Sequence, residues 1–182
     1  MKKTLLVGLA IILLTISGFS SEGLIKAKVA YFSPQDTDFK DIYGGGPKFG
    51  IEGNLDVAKN LFVWLGVDYF AKTGSMTYGQ EETKVRIIPV GAGLGYWIHA
   101  SPSLKFSLGG GFQYNSFHEK NFLGSVTKGK LGLILKGDAL FRISDTVGFD
   151  AFVNYSACTI KSEDGSFKIG GFEAGAGLTI KF

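Results

Sequence analysis

Residues 171–182 read Gly-Phe-Glu-Ala-Gly-Ala-Gly-Leu-Thr-Ile-Lys-Phe. Phe172, Ala174, Ala176, Leu178, Ile180 and Phe182 share one parity. Gly171, Glu173, Gly175, Gly177, Thr179 and Lys181 share the other. A period of two held over this length specifies a β-strand with one apolar face, because helical rotation would mix the two sets.

The same pattern recurs upstream. Leu104, Phe106, Leu108, Phe112 and Tyr114 lie opposite Lys105, Ser107, Gly109, Gly111 and Gln113, and Leu131, Leu133, Leu135, Ala139 and Phe141 lie opposite Lys130, Lys136, Asp138 and Arg142. Val147–Tyr155, Ile88–Tyr96 and Leu61–Tyr69 repeat it, and two less regular strands precede them around Ile25–Phe32 and Lys48–Leu55. The count is about eight. Connections alternate in length: short near Asp56–Asn60, Ala100–Ser103 and Ser144–Thr146, longer and polar near Ser33–Ile42, Lys72–Thr83, Phe117–Lys128 and Ile160–Ser166. Alternating short turns and long loops describe an antiparallel up-and-down meander closed into a barrel.

Ahead of the strands, Lys2 and Lys3 precede an apolar run from Leu5 to Ile16, followed by Ser17, Gly18, Ser20 and Ser21. This is the pattern of a secretory signal peptide over residues 1–20, too short to span a bilayer comfortably as a helix. Residues 21–182 then form one barrel domain.

Composition narrows the function classes. Gly 27 and Phe 16 are high and charged residues make up only 19%. The 19 basic residues are scattered, so a nucleic-acid partner is not expected. Cys158 is the only cysteine and the two histidines stand far apart, so neither a disulfide nor a metal site is expected. No catalytic or cofactor-binding residues are assigned.

Which face is inside decides between a membrane barrel and a soluble one. Glycine weakens a solvated strand face, but in a narrow lumen it makes room for Trp64, Trp97 and Phe152. Tyr31, Tyr69, Tyr114 and Tyr155 lie on the apolar face toward the long loops, and Tyr96, Phe141, Phe149 and Phe182 lie on it toward the short turns. Two aromatic rows separated by aliphatic residues fit the two bilayer interfaces as girdles. The expectation is a transmembrane barrel whose polar parity faces the lumen.

That parity collects Lys26, Lys28, Glu52, Asp68, Lys105, Lys136, Asp138, Arg142, Asp150, Glu173 and Lys181. Charges of both signs in a narrow lumen must pair, because an unpaired buried charge costs several kcal/mol. They are expected to plug the barrel as a lumen charge network; the alternative is a narrow channel for ions or small solutes. Ser116, His118 and Glu119 offer a weaker reading as a lipid-modifying site, since nucleophile, base and acid need a geometry that sequence alone does not supply.

The strand pattern over roughly residues 24–182, the Gly-Ala-Gly-Leu-Thr-Ile-Lys-Phe ending, and the stretches Tyr-Phe-Ser-Pro at 31–34 and Asp-Ile-Tyr-Gly-Gly-Gly at 41–46 resemble the small outer-membrane β-barrel proteins of the OmpA/OmpX-like superfamily. The resemblance implies a location in the bacterial outer membrane, a monomer in contact with its lipids, and short turns on the periplasmic side. An aromatic ending resembles the terminal signal read by the barrel-assembly machinery. It implies little about activity, since such barrels include structural proteins, adhesins and a few enzymes.

Overall fold

The computed structural model describes residues 22–75, 82–122, 124–162 and 165–182. The expected signal peptide lies outside the described residues, as do Glu81, Glu163 and Asp164 of the longer polar connections. Eight strands close a barrel: β1 (Gly23–Pro34), β2 (Gly46–Ala58), β3 (Leu61–Ser75), β4 (Glu82–Ser101), β5 (Leu104–Asn121), β6 (Gly124–Arg142), β7 (Val147–Ala157) and β10 (Gly171–Lys181). Each pairs antiparallel with its neighbours, and β1 joins β10 to complete the ring. The amide of Gly23 donates to the Phe182 carbonyl at 3.1 Å and Phe182 donates back at 3.0 Å, which fixes the seam at its turn-side end.

The turns at Lys59–Asn60 and Pro102–Ser103 are tight, and Asn60 takes a φ of 64°, a left-handed conformation that asparagine tolerates better than most residues. The opposite rim departs from the expected loops. Ser33–Ile42 holds a helix, α1 (Thr37–Tyr43), whose Asp36 side chain caps the Phe39 amide at 3.1 Å and whose backbone turns out at Gly44, φ 66°. Most of the expected loop at 117–128 is strand instead, with Phe117–Asn121 laddered onto Gly124–Lys128. Thr159–Ser162 (β8) and Gly165–Lys168 (β9) pair as a separate hairpin. β4, β5 and β6 therefore rise as a tall wall on one side, while α1 and the β8–β9 hairpin cover the other.

Glycine sets how closely the wall packs. Gly93 and Gly111 are cross-strand partners, and a Cβ on either would lie 2.7 Å from the other's Cα. Next to them, a Cβ at Gly91 would lie 3.0 Å from the Trp64 ring. The indole occupies the space that the missing side chain leaves.

Candidate functional site

The polar parity does face the lumen, and the lumen is filled in three layers. At the loop-side mouth, α1 drops Phe39 and Tyr43 onto Phe32, Phe70, Val85 and Phe117, joined by Cys158, Ile160 and Ile169. Phe32 meets Phe70 edge-on at 5.2 Å between ring centroids, and Phe167 packs on Phe117 at 5.3 Å. Polar groups fasten this lid. The Tyr43 hydroxyl donates to Glu119 at 2.7 Å and lies 2.9 Å from the Thr83 hydroxyl. Burial pushes the Tyr43 phenol well above its ordinary range.

Beneath the lid lies the charge network. Lys48 donates to Glu173 at 2.5 Å and lies 3.4 Å from Asp68; Asn154 donates to the second Glu173 oxygen, also at 2.5 Å. Lys28 bridges Asp68 at 3.3 Å and Glu52 at 3.0 Å. Glu52 also accepts from Lys136 and lies 3.9 Å from Lys26. Lys26 in turn donates to Asp138 at 2.8 Å and Asp150 at 3.3 Å, and Ser107 donates to Asp138 at 2.8 Å. Lys26 and Asp150 are both 0% exposed. Rings cover the cations: Trp64 lies 4.4 Å from the Lys136 Nζ and Phe152 5.5 Å from that of Lys28.

Of the residues that parity collected, Lys26, Lys28, Glu52, Asp68, Lys136, Asp138, Asp150 and Glu173 come together here. Lys105, Arg142 and Lys181 do not. They line the turn-side vestibule, where Lys181 pairs with Glu22 at 2.7 Å and Lys105 lies 5.9 Å over Trp97. That pairing holds the Glu22 carboxyl below its usual range. Lys48 was missed, although Lys48, Gly50 and Glu52 stand at one parity and place it on the lumen face.

Below the charges, Phe62, Trp64, Trp97, Ile134 and Leu140 close the lumen again. Phe62 and Trp97 stack at 4.4 Å, and the Trp97 indole donates to Asp56 at 2.9 Å. A lumen cavity beside Lys48, Pro89 and Asn115 holds only ≈ 10 Å³, roughly the space of one water.

The outer wall is apolar. Leu135 is 64% exposed, Leu108 63%, Phe112 61% and Tyr31 60%. Along β4 the outward row Ile88, Val90, Ala92, Leu94, Tyr96 and Ile98 spans about 33 Å of strand, or about 25 Å of height at the usual barrel tilt. Tyr31, Tyr69, Tyr114 and Tyr155 stand outward on the loop side of this wall, and Tyr96, Phe141, Phe149 and Phe182 stand outward on its turn side.

The weaker catalytic constellation does not assemble. His118 lies outward with its Nδ1 2.8 Å from the Thr127 hydroxyl, while Glu119, on the opposite face, accepts from Tyr43. Among the described residues, no group of three or more His, Cys, Asp or Glu side chains is placed to hold a metal ion.

No family model and no curated protein matches the chain. Solved structures match most of its length. Neisserial surface protein A aligns at a TM-score of 0.61 and 18% identity, over 89% of this chain and 97% of that one. The outer membrane protein OprG of Pseudomonas aeruginosa aligns at 0.69 and 15%, over 89% and 96%. A major outer membrane protein of Thermus thermophilus aligns at 0.65 and 12%, over 90% and 100%. Eight antiparallel strands in one ring, an apolar outer wall and a filled lumen give this chain the fold of the small eight-stranded outer-membrane β-barrel proteins.

Proposed function

We propose that this protein is exported by a signal peptide at residues 1–20 and resides as a monomer in the bacterial outer membrane, where its role is structural or one of surface interaction. The observation that carries this reading is the closed lumen: an apolar lid, a paired charge layer and an aromatic floor lie in series across it. A solute would have to separate buried ion pairs, and leaving one partner of such a pair unmatched costs about 3–5 kcal/mol. The two outward aromatic rows serve as girdles at the bilayer interfaces. The strand at 171–182 is the segment offered to the barrel-assembly machinery, and the lid and tall wall form the surface presented outside.

The test has two parts. Gel mobility of the outer-membrane fraction, with and without boiling, reports a detergent-resistant barrel, and absence of any shift would remove the membrane assignment. Planar-bilayer recordings of the folded protein are then expected to show no unitary steps. Steps whose size changes in Lys136→Glu or Asp138→Lys would replace the plug with a narrow channel.

A further inference from the structure

The outward row of β4 changes character abruptly. Ile88 is its last apolar member on the loop side, and the next two outward positions are Arg86 and Lys84. On β5 the row passes from Tyr114 through Ser116 to His118 and Lys120. Register brings the two rows together, with Arg86 opposite His118 and Lys84 opposite Lys120. Like charges placed directly across a ladder destabilise it. Lys84 has Glu82 at 2.8 Å and His118 has Thr127, but among the described residues neither Arg86 nor Lys120 forms an ion pair.

Height gives the cluster its meaning. Arg86 stands two residues beyond the apolar row, about 7 Å along the strand and roughly 5 Å along the barrel axis. The headgroup layer adds about 5–7 Å outside each face of the hydrocarbon core. Arg86 and His118 therefore lie at the level of the lipid headgroups, above Tyr69 and Tyr114, with Lys84 and Lys120 one outward position, roughly 5 Å, higher. All four share the parity that faces the bilayer rather than the lumen. The chemistry that satisfies a guanidinium beside an ammonium is a phosphate, which Arg binds through two parallel hydrogen bonds. Acyl chains hanging from such a phosphate would lie down the apolar wall of Ile88, Val90, Phe112 and Tyr114.

We propose that Arg86 and Lys120, flanked by Lys84 and His118, form an outward-facing site for the phosphates of an outer-leaflet glycolipid of the lipid A type. The proposal rests on the membrane orientation given under Proposed function.

The folded protein in neutral detergent is titrated with bis-phosphorylated lipid A, with the same lipid lacking phosphates, and with inorganic pyrophosphate, and binding is read by native mass spectrometry. Phosphorylated lipid A is expected to bind the wild type, with the phosphate-free lipid roughly tenfold weaker. Arg86→Gln/Lys120→Gln lowers affinity by a similar factor, while Lys59→Gln in a turn on the opposite rim leaves it unchanged. Heat-dependent gel mobility is recorded for every variant. A double variant that keeps its mobility shift and binds lipid A as the wild type does overturns the site. Pyrophosphate binding as tightly as lipid A overturns the lipid assignment in favour of a soluble anion. A mobility shift without lipid A binding removes the site alone, whereas absence of any shift removes the membrane reading with it.

Discussion

The Lys26 ammonium and the Asp138 carboxylate, 112 residues apart in sequence, meet at 2.8 Å in the middle of the barrel, on strands that are not neighbours in the ring. Lys26 also faces Asp150 and Glu52, so a single fully buried cation separates three carboxylates. Replacing it with methionine fills similar volume but leaves Asp138 and Asp150 facing each other without their cation, while Glu52 keeps Lys28 and Lys136. Lys26→Met is expected to destabilise the barrel by about 3–5 kcal/mol, measured as a lower midpoint for urea unfolding in detergent micelles.

The network is not neutral. Lys26, Lys28, Lys48 and Lys136 face Glu52, Asp68, Asp138, Asp150 and Glu173, four cations against five carboxylates. Among the described residues, Asp150 is the carboxylate of this network with a buried oxygen that has no hydrogen-bond partner. Asp150→Asn removes the surplus charge while keeping the shape. The same unfolding assay should give a midpoint equal to or above wild type, the opposite sign from Lys26→Met; a clear fall would mean that Asp150 is needed as an anion.

Tyr43 ties the lid to the tall wall through Thr83 and Glu119. Its phenol, raised above its ordinary value of 10.0 by burial, stays protonated in the folded protein where an unfolded tyrosine ionises. Folded and unfolded states then differ in bound protons, so its contribution is complete below pH 10 and declines as pH climbs beyond it. In a tyrosinate absorbance titration, Tyr43→Phe should match wild type while folded and lack one ionising group once unfolded. A difference between the folded curves near pH 10 would place Tyr43 in solvent.

Gly93 and Gly53 form a matched pair for testing backbone approach. A Cβ at Gly93 would lie 2.7 Å from the Cα of Gly111, whereas one at Gly53 meets nothing within 4 Å. Gly93→Ala should cost about 1–3 kcal/mol as an overpacked contact, and Gly53→Ala should be close to neutral. Equal heat-modifiable fractions after refolding would show that β4 and β5 can part without penalty.

Strand parity was readable from sequence because a filled lumen and an apolar wall both enforce a period of two, and Phe172–Phe182 obeys it without exception. Depth was not readable. Lys105, Arg142 and Lys181 share the parity of Lys26, yet they stand in the vestibule, since parity gives the face of a strand and says nothing of its height. The lid was hidden for another reason. α1 is seven residues long, too short for a helical period to emerge, and only its Asp36 cap and Gly44 exit mark it. Phe70 and Phe117 carry the remaining signal: they continue the inward parity beyond Tyr69 and Tyr114, the last residues of the regular alternation, to meet Phe32 at the end of the first strand.

The charge layer also bears on assembly. Lys48 on β2 reaches Glu173 on β10, and Lys26 on β1 reaches Asp150 on β7, so these contacts cross the seam between the first and last strands. While the sheet is still open, those groups stay hydrated and independent. A seam zipped one residue out of register would set the inward residues of one end strand against the outward residues of the other, so these pairs could not form. The buried ions thus act as a checksum on ring closure, one that tallies only when the two ends of the barrel meet in the correct frame.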